Sequence, residues 1–146
     1  MAAPKVVSYS RPQAGDVVLC RFPEDIVDPE PSLKPRPAII VKVSEPVDGD
    51  ASYHVHVCYG STQIYKAKGP YAWDVLITDP GEMAHCGLAE PTRFDLSTII
   101  QLDYNSEWFL PPWAKPFGAT PKMGALPPVV SSKIGPAFKA AKAAGK

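Results

Sequence analysis

Short apolar runs, each bounded by glycine or proline, recur along the first two thirds of the chain. Residues 17–22 (VVLCRF) follow Gly15 and Asp16 and end at Pro23, while residues 38–43 (AIIVKV) are dominated by β-branched side chains. Runs of this length and content predict strands. Further strands are predicted at residues 53–59, 73–78 and within 94–104. The spacing of these runs indicates a small antiparallel barrel or sandwich.

A polar loop separates the first two predicted strands. Residues 24–34 combine several prolines with four carboxylates and few apolar side chains, which no core-facing element would tolerate. The carboxylates belong to Glu24, Asp25, Asp28 and Glu30. We therefore predict a long exposed loop here.

The last quarter of the chain changes character. A proline-rich connection at residues 110–126 leads into an alanine- and lysine-rich tail at 127–144, where Val130, Ile134 and Phe138 are four residues apart. This spacing predicts helix, and Gly135-Pro136 should kink or divide it into two short helices. We expect one domain over residues 1–146, with a β core at 15–109.

Composition narrows the class of protein. Lysine plus arginine equals aspartate plus glutamate at 15 each, so a phosphate-bearing partner would have to bind a local patch. The three cysteines lack CxxC spacing, and no segment is long and apolar enough to serve as a signal peptide or membrane span. These features predict a cytoplasmic protein with no membrane contact.

One predicted strand carries a row of potential metal ligands. Residues 53–59 alternate with period two, which places His54, His56 and Cys58 on one face. Neighbours on one face of a strand are roughly 7 Å apart, and no other ligand lies close in sequence. We therefore predict no metal site and no cofactor, and we assign these side chains to packing, with His56 as a candidate base.

Four segments in order resemble the PemK/MazF-type toxins. Residues 15–23 (GDVVLCRFP) and 34–41 (KPRPAIIV) are similar to the family's opening strand and its R-P-A strand. Residues 57–63 (VCYGSTQ) resemble its third strand, which ends in a Ser/Thr-rich motif, and Gly87-Leu88 with 92–94 (TRF) resembles its G-L…S-x-V segment. The resemblance covers roughly residues 15–102.

The resemblance implies a mainly β fold, namely a small antiparallel SH3-like barrel of the PemK/CcdB type with a C-terminal helical segment. It also implies a cytoplasmic homodimer that cleaves single-stranded RNA without metal and is silenced by an antitoxin protein. By this resemblance Arg36 would stabilise the phosphorane, while Ser61 and Thr62 would hydrogen-bond the phosphate or the ribose 2′-OH. Arginine suits that role because its guanidinium stays charged and can bind two phosphate oxygens.

Other polar residues are candidates for secondary roles. Those that could follow the RNA backbone are Lys34, Gln63, Lys66, Lys68 and Arg93. His56 and Asp95 are candidate acid or base groups, because metal-free RNA cleavage needs proton transfer at the 2′-OH and at the leaving oxygen.

Two departures from the family pattern favour an alternative. Ser97 and Thr98 stand where many relatives have an aspartate-glutamine pair, and the carboxylates of the 24–34 loop would repel RNA if they covered the site. The alternative is a catalytically weak or inactive barrel that binds a protein or a nucleic acid, like gyrase poisons or phage and plasmid regulators.

Overall fold

The computed structural model describes residues 6–25, 27–47, 49–64 and 70–146. Within these ranges, seven strands and three helices follow in chain order. The strands are β1 (Asp16–Cys20), β2 (Arg36–Ser44), β3 (His54–Ser61), β4 (Asp74–Ile77), β5 (Thr92–Asp95), β6 (Ile100–Asp103) and β7 (Lys122–Ala125). The helices are α1 (Pro80–Cys86), α2 (Pro128–Ser131) and α3 (Ile134–Ala143). No helix within the described ranges is long and apolar enough to cross a bilayer.

The strands form one antiparallel sheet with the order β4-β5-β3-β2-β1-β7, and β6 also pairs with β3. One edge of β3 is therefore shared, because residues 54–57 pair with β6 whereas Gly60 and Ser61 pair with β5. This division, together with a bulge in β2 between Ile40 and Lys42, curls the sheet into a half-barrel. The predicted barrel with a C-terminal helical segment is confirmed.

The strand alternation fills a separate apolar core on each face of the sheet. Core one is built around Val17, Ile39, Cys58, Phe94, Leu96 and Val130. Core two is built around Val18, Ala38, Ile40, Val57, Tyr104 and Phe109. Both faces are thus buried along most of β1 and at residues 38–40 of β2, which explains why these segments are continuous apolar runs, whereas β3 alternates half-buried His54 and His56 with buried Val55 and Val57.

Helix α1 lies between the predicted strands at residues 73–78 and 94–104, where the sequence predicted no helix. The Asp79 carboxylate caps its first turn by accepting from the Glu82 N–H at 3.0 Å, and Pro80 lies at the first helical position. Gly87 ends the helix in the left-handed region with φ 75°. The capping residues were visible in the sequence, but the helix has only seven residues and too little periodicity to detect.

The proline-rich connection contains an additional strand. β7 pairs with β1, so a segment expected only to link barrel and tail completes the sheet. Gly124 makes this possible, because a Cβ at that position would overlap the backbone of Cys86 at the end of α1. The tail then forms two short helices, separated at Ser132 and Lys133 rather than at Gly135-Pro136.

The aromatic residues within the connection and just before it differ in their burial. Phe109 is fully buried and Trp108 packs against core two, so both attach the segment to the sheet. Trp113, in contrast, is 97% exposed and Phe117 is about half exposed.

Candidate functional site

Strand register brings Arg36 and Ser61 to the same end and the same face of the sheet. In the β2–β3 pair Ala38 lies opposite Tyr59 and Ile40 opposite Val57. Continuing this antiparallel register by two residues sets Arg36 opposite Ser61. Because side chains alternate along a strand, both point to the face of core two.

The two side chains line one surface cleft of about 430 Å³. Its lining residues are Phe22, Glu24, Arg36, Tyr59, Ser61, Gln63 and Thr98. The floor is fixed by aromatic packing, because the rings of Phe22 and Tyr59 have centroids 5.0 Å apart and Phe22 is buried. Arg36, itself half-buried, belongs to none of the ion pairs found in the described ranges, so no carboxylate holds its guanidinium in a salt bridge there.

Ser61 presents a hydroxyl whose oxygen is already engaged. The Ser61 Oγ accepts from the Gln63 N–H at 3.1 Å, which fixes the turn after β3 and leaves the hydroxyl proton available as a donor. Thr62 is exposed beside it but does not line the cleft, whereas the exposed Gln63 does. A guanidinium and a hydroxyl donor that share one cleft can bind the oxygens of a phosphodiester.

The remaining candidate RNA ligands are dispersed. Lys34 is exposed and lines a neighbouring concavity in the 24–34 loop, not the cleft. Lys66 and Lys68 lie outside the described residues.

Arg93 lies opposite Ser61 in the β3–β5 ladder, yet it is not a solvent-facing cation. Its side chain is only 10% exposed and its Nη1 lies 3.8 Å from the Asp74 carboxylate, which is 2% exposed. The Arg93 Nε is buried without a hydrogen-bond partner. This geometry makes Arg93 a buried charge beneath the Ser61 end of the sheet.

Neither candidate acid or base from the sequence lines the cleft. His56 is on the other face of β3, in an apolar groove of about 310 Å³ against the start of α3. Burial, followed by the nearby Lys42 charge, lowers the pKa of His56. Asp95 is half-buried and accepts from both the N–H and the hydroxyl of Ser97.

The row of His54, His56 and Cys58 holds its predicted positions along one face of β3, but its members have different partners. His54 contacts the carboxylates of Asp50 and Asp103 at 3.2 and 2.8 Å. Burial raises the pKa of the Cys58 thiol to about 12. Across the residues that the structure describes, no group of three histidine, cysteine or carboxylate side chains is placed to hold a metal ion.

Sequence reasoning missed four members of the cleft. Phe22 and Tyr59 appeared only as strand residues, Thr98 only as a departure from the family pattern, and Glu24 only as a loop carboxylate. Glu24 is the single carboxylate among the lining residues. No sequence signal distinguishes it from the other three acids of its loop.

Comparison with known proteins was informative only at the level of structure. No family model matches the chain, and no curated protein matches its sequence. Among solved structures, a mycobacterial endoribonuclease in complex with its cognate antitoxin superposes with a TM-score of 0.51 at 16% identity, over 91% of this chain and 96% of that one. The fold is that of the PemK/MazF-type toxins.

A second structure gives the same result for the PemK/MazF-type fold. It is also an endoribonuclease from a mycobacterial species, with a TM-score of 0.51, 17% identity, and coverage of 90% of this chain and 91% of that one. At this identity the similarity establishes the architecture, and the chemistry has to be argued from the cleft.

Proposed function

We propose that this chain is an endoribonuclease that cleaves single-stranded RNA without a metal ion, and that its active site is the cleft between Arg36 and Ser61. The observation that carries the proposal is that these two side chains, on different strands, line one cleft. Arg36 would bind the scissile phosphate and stabilise the negative charge that develops on the phosphorane. Ser61 would donate its free proton to a phosphate oxygen or to the 2′-OH.

The surroundings of Arg36 support this role. Pro35 and Pro37 flank it and restrict its backbone, while Cys20 pairs with it on the neighbouring strand. The planar guanidinium loses little freedom for each hydrogen bond that it forms with a phosphate, and none of the ion pairs within the described ranges engages Arg36. The aromatic faces of Phe22 and Tyr59 provide an apolar floor beside the charge.

The test is incubation of the purified protein with a long single-stranded RNA of mixed sequence in EDTA. We expect discrete cleavage, and we expect Arg36→Ala to slow it by roughly 10²–10³-fold, the usual effect of removing one donor to a developing charge. Arg11→Ala is the matched control, because Arg11 is an exposed arginine that does not line the cleft. Its Nε lies 3.1 Å from a carboxylate oxygen of Glu45. Equal cleavage by both variants would refute the assignment of Arg36.

The non-catalytic alternative has its own signature. If a folded wild-type protein leaves the RNA intact but binds it in an Arg36-dependent way, the barrel is a binding module and the nuclease proposal is wrong. This alternative draws support from the cleft itself, since Glu24 adds negative charge where a phosphate would have to enter.

Partners follow from the same proposal. One solved neighbour is in complex with its cognate antitoxin, and we propose that an antitoxin protein also silences this chain. We further propose that the active form is a homodimer. Light scattering of the purified protein tests the homodimer. Co-purification with the product of an adjacent small reading frame tests the antitoxin partner.

A further inference from the structure

The cleft contains a carboxylate, that of Glu24, which has no part in the proposed roles of Arg36 and Ser61. Cleavage through the ribose 2′-OH requires a base to take the hydroxyl proton, and neither His56 nor Asp95 lines the cleft. Among the seven lining residues, Arg36 is permanently protonated, and Phe22, Ser61, Gln63 and Thr98 are not bases at neutral pH. Tyr59 belongs to the aromatic floor of the cleft, where its ring packs against that of Phe22. This leaves the Glu24 carboxylate.

The position of Glu24 is defined although its loop is exposed. Arg21 and Ser32 close the base of the loop, because the Ser32 N–H donates to the Arg21 carbonyl at 3.1 Å and the Arg21 Nε donates to the Ser32 carbonyl at 3.0 Å. Phe22 and Pro23, which immediately precede Glu24, are both buried. Glu24 therefore follows a buried, hydrogen-bonded segment and lies two residues after Phe22, which forms part of the aromatic floor.

The other acids of the loop face elsewhere. Asp25, Asp28 and Glu30 line a separate concavity of about 500 Å³ with Lys34, and only Glu24 borders both that concavity and the cleft. The loop therefore brings a single carboxylate to the cleft, where one negative group can act as a base without the repulsion that four would produce.

We propose that Glu24 is the general base of the RNA cleavage, an inference that rests on the proposed function. Its carboxylate takes the proton of the 2′-OH while the 2′ oxygen forms a bond to phosphorus and the bond from phosphorus to the 5′ oxygen breaks. The leaving 5′ oxygen takes a proton from water, and Glu24 later returns its own proton to solvent. The products are a 2′,3′-cyclic phosphate and a 5′-hydroxyl, and no oxidant or metal is required.

The experiment compares Glu24→Gln with Glu30→Gln, the same substitution in the same loop outside the cleft. In single-turnover cleavage of a mixed-sequence RNA in EDTA, we expect Glu24→Gln to lower the rate at least about 10²-fold. The half-saturating concentration for the Glu24→Gln variant should stay the same or fall, because the substitution removes a negative charge from the cleft. The acidic limb of the pH profile should disappear. Glu30→Gln should behave like the wild type.

A second variant separates catalysis from loop structure. Glu24→Ala should be inactive but regain cleavage when formate is added, because a small carboxylate can enter the space of the missing side chain. A Glu24→Gln rate equal to that of Glu30→Gln, or faster than the wild type, would overturn the assignment, and the faster rate would make the carboxylate a barrier to RNA. If the wild type itself cleaves no RNA, the proposed function fails, and with it the base.

Discussion

The buried ion pair between Arg93 and Asp74 offers a quantitative test of how the Ser61 end of the sheet is supported. Replacing Asp74 by asparagine removes the charge but keeps an oxygen that can accept from the Tyr71 N–H, at present 2.8 Å away. The substitution leaves a guanidinium that is only 10% exposed without its counter-ion. Breaking a buried pair in this way typically costs 3–5 kcal/mol.

For Asp74→Asn we expect the free energy of unfolding to fall by about 3 kcal/mol, the lower end of this range. The pair is loose, with 3.8 Å between nitrogen and oxygen, and the Arg93 Nε has no partner, so the native arrangement is not optimal. For the same reason Arg93→Met combined with Asp74→Asn should recover most of the loss, since neither buried charge then remains.

Urea denaturation, monitored by tryptophan fluorescence, measures the free energy of unfolding of each variant. The double-mutant cycle then gives the coupling energy between the Arg93 and Asp74 side chains. Glu45→Gln is the control, because it breaks an exposed pair with Arg11 and should cost less than about 1 kcal/mol. A loss for Asp74→Asn no larger than that of the control would mean that Arg93 reaches solvent, and our description of it as a buried charge would be wrong.

Three further predictions concern packing and titration. Gly124→Ala should fail to fold or lose several kcal/mol, since its Cβ would overlap the backbone at the end of α1, whereas Gly135→Ala, whose Cβ would meet nothing within 4 Å outside its own helix and chain neighbours, should still fold, as thermal unfolding will show. Because burial raises the pKa of Cys58 to about 12, a thiol reagent should leave it unmodified in the native protein and label it in urea. Burial and Lys42 lower the pKa of His56, so the folded state binds fewer protons than the unfolded state. The free energy of unfolding should therefore fall as the pH drops below about 6.5, the ordinary pKa of a histidine side chain, and His56→Leu should flatten this dependence.

Much of the fold followed from the sequence because its first strands stand out between glycines and prolines. β1 and β2 appeared as apolar runs rich in valine and isoleucine, β3 as a period-two alternation, and the spacing of the runs was enough to indicate an antiparallel barrel or sandwich. β7 escaped prediction because KMGA has no strand pattern of its own. Its strand conformation comes from pairing with β1, a contact between residues more than one hundred positions apart.

The candidate site was only partly accessible to the same reasoning. Arg36 and Ser61 were selected by the family resemblance, and strand register explains why they face one cleft. Arg93 was expected to contact RNA, but the sequence could not reveal that Asp74, on a different strand, would be buried beside it. Likewise, the sequence does not reveal which acid of the 24–34 loop borders the cleft. The answer depends on the contact between Arg21 and Ser32 that closes the loop, and this contact forms only in the folded chain.

The pairing of β7 with β1 has a consequence for synthesis. The sheet is not complete until residues 122–125 have left the ribosome, although Arg36, Ser61 and Thr98 emerge long before them. Until then β1 has an open edge, the kind of surface that promotes aggregation in partly folded chains. A polypeptide that already contains every lining residue of the cleft but still lacks residues 122–125 would thus keep an unpaired β1 edge and tend to associate with other chains.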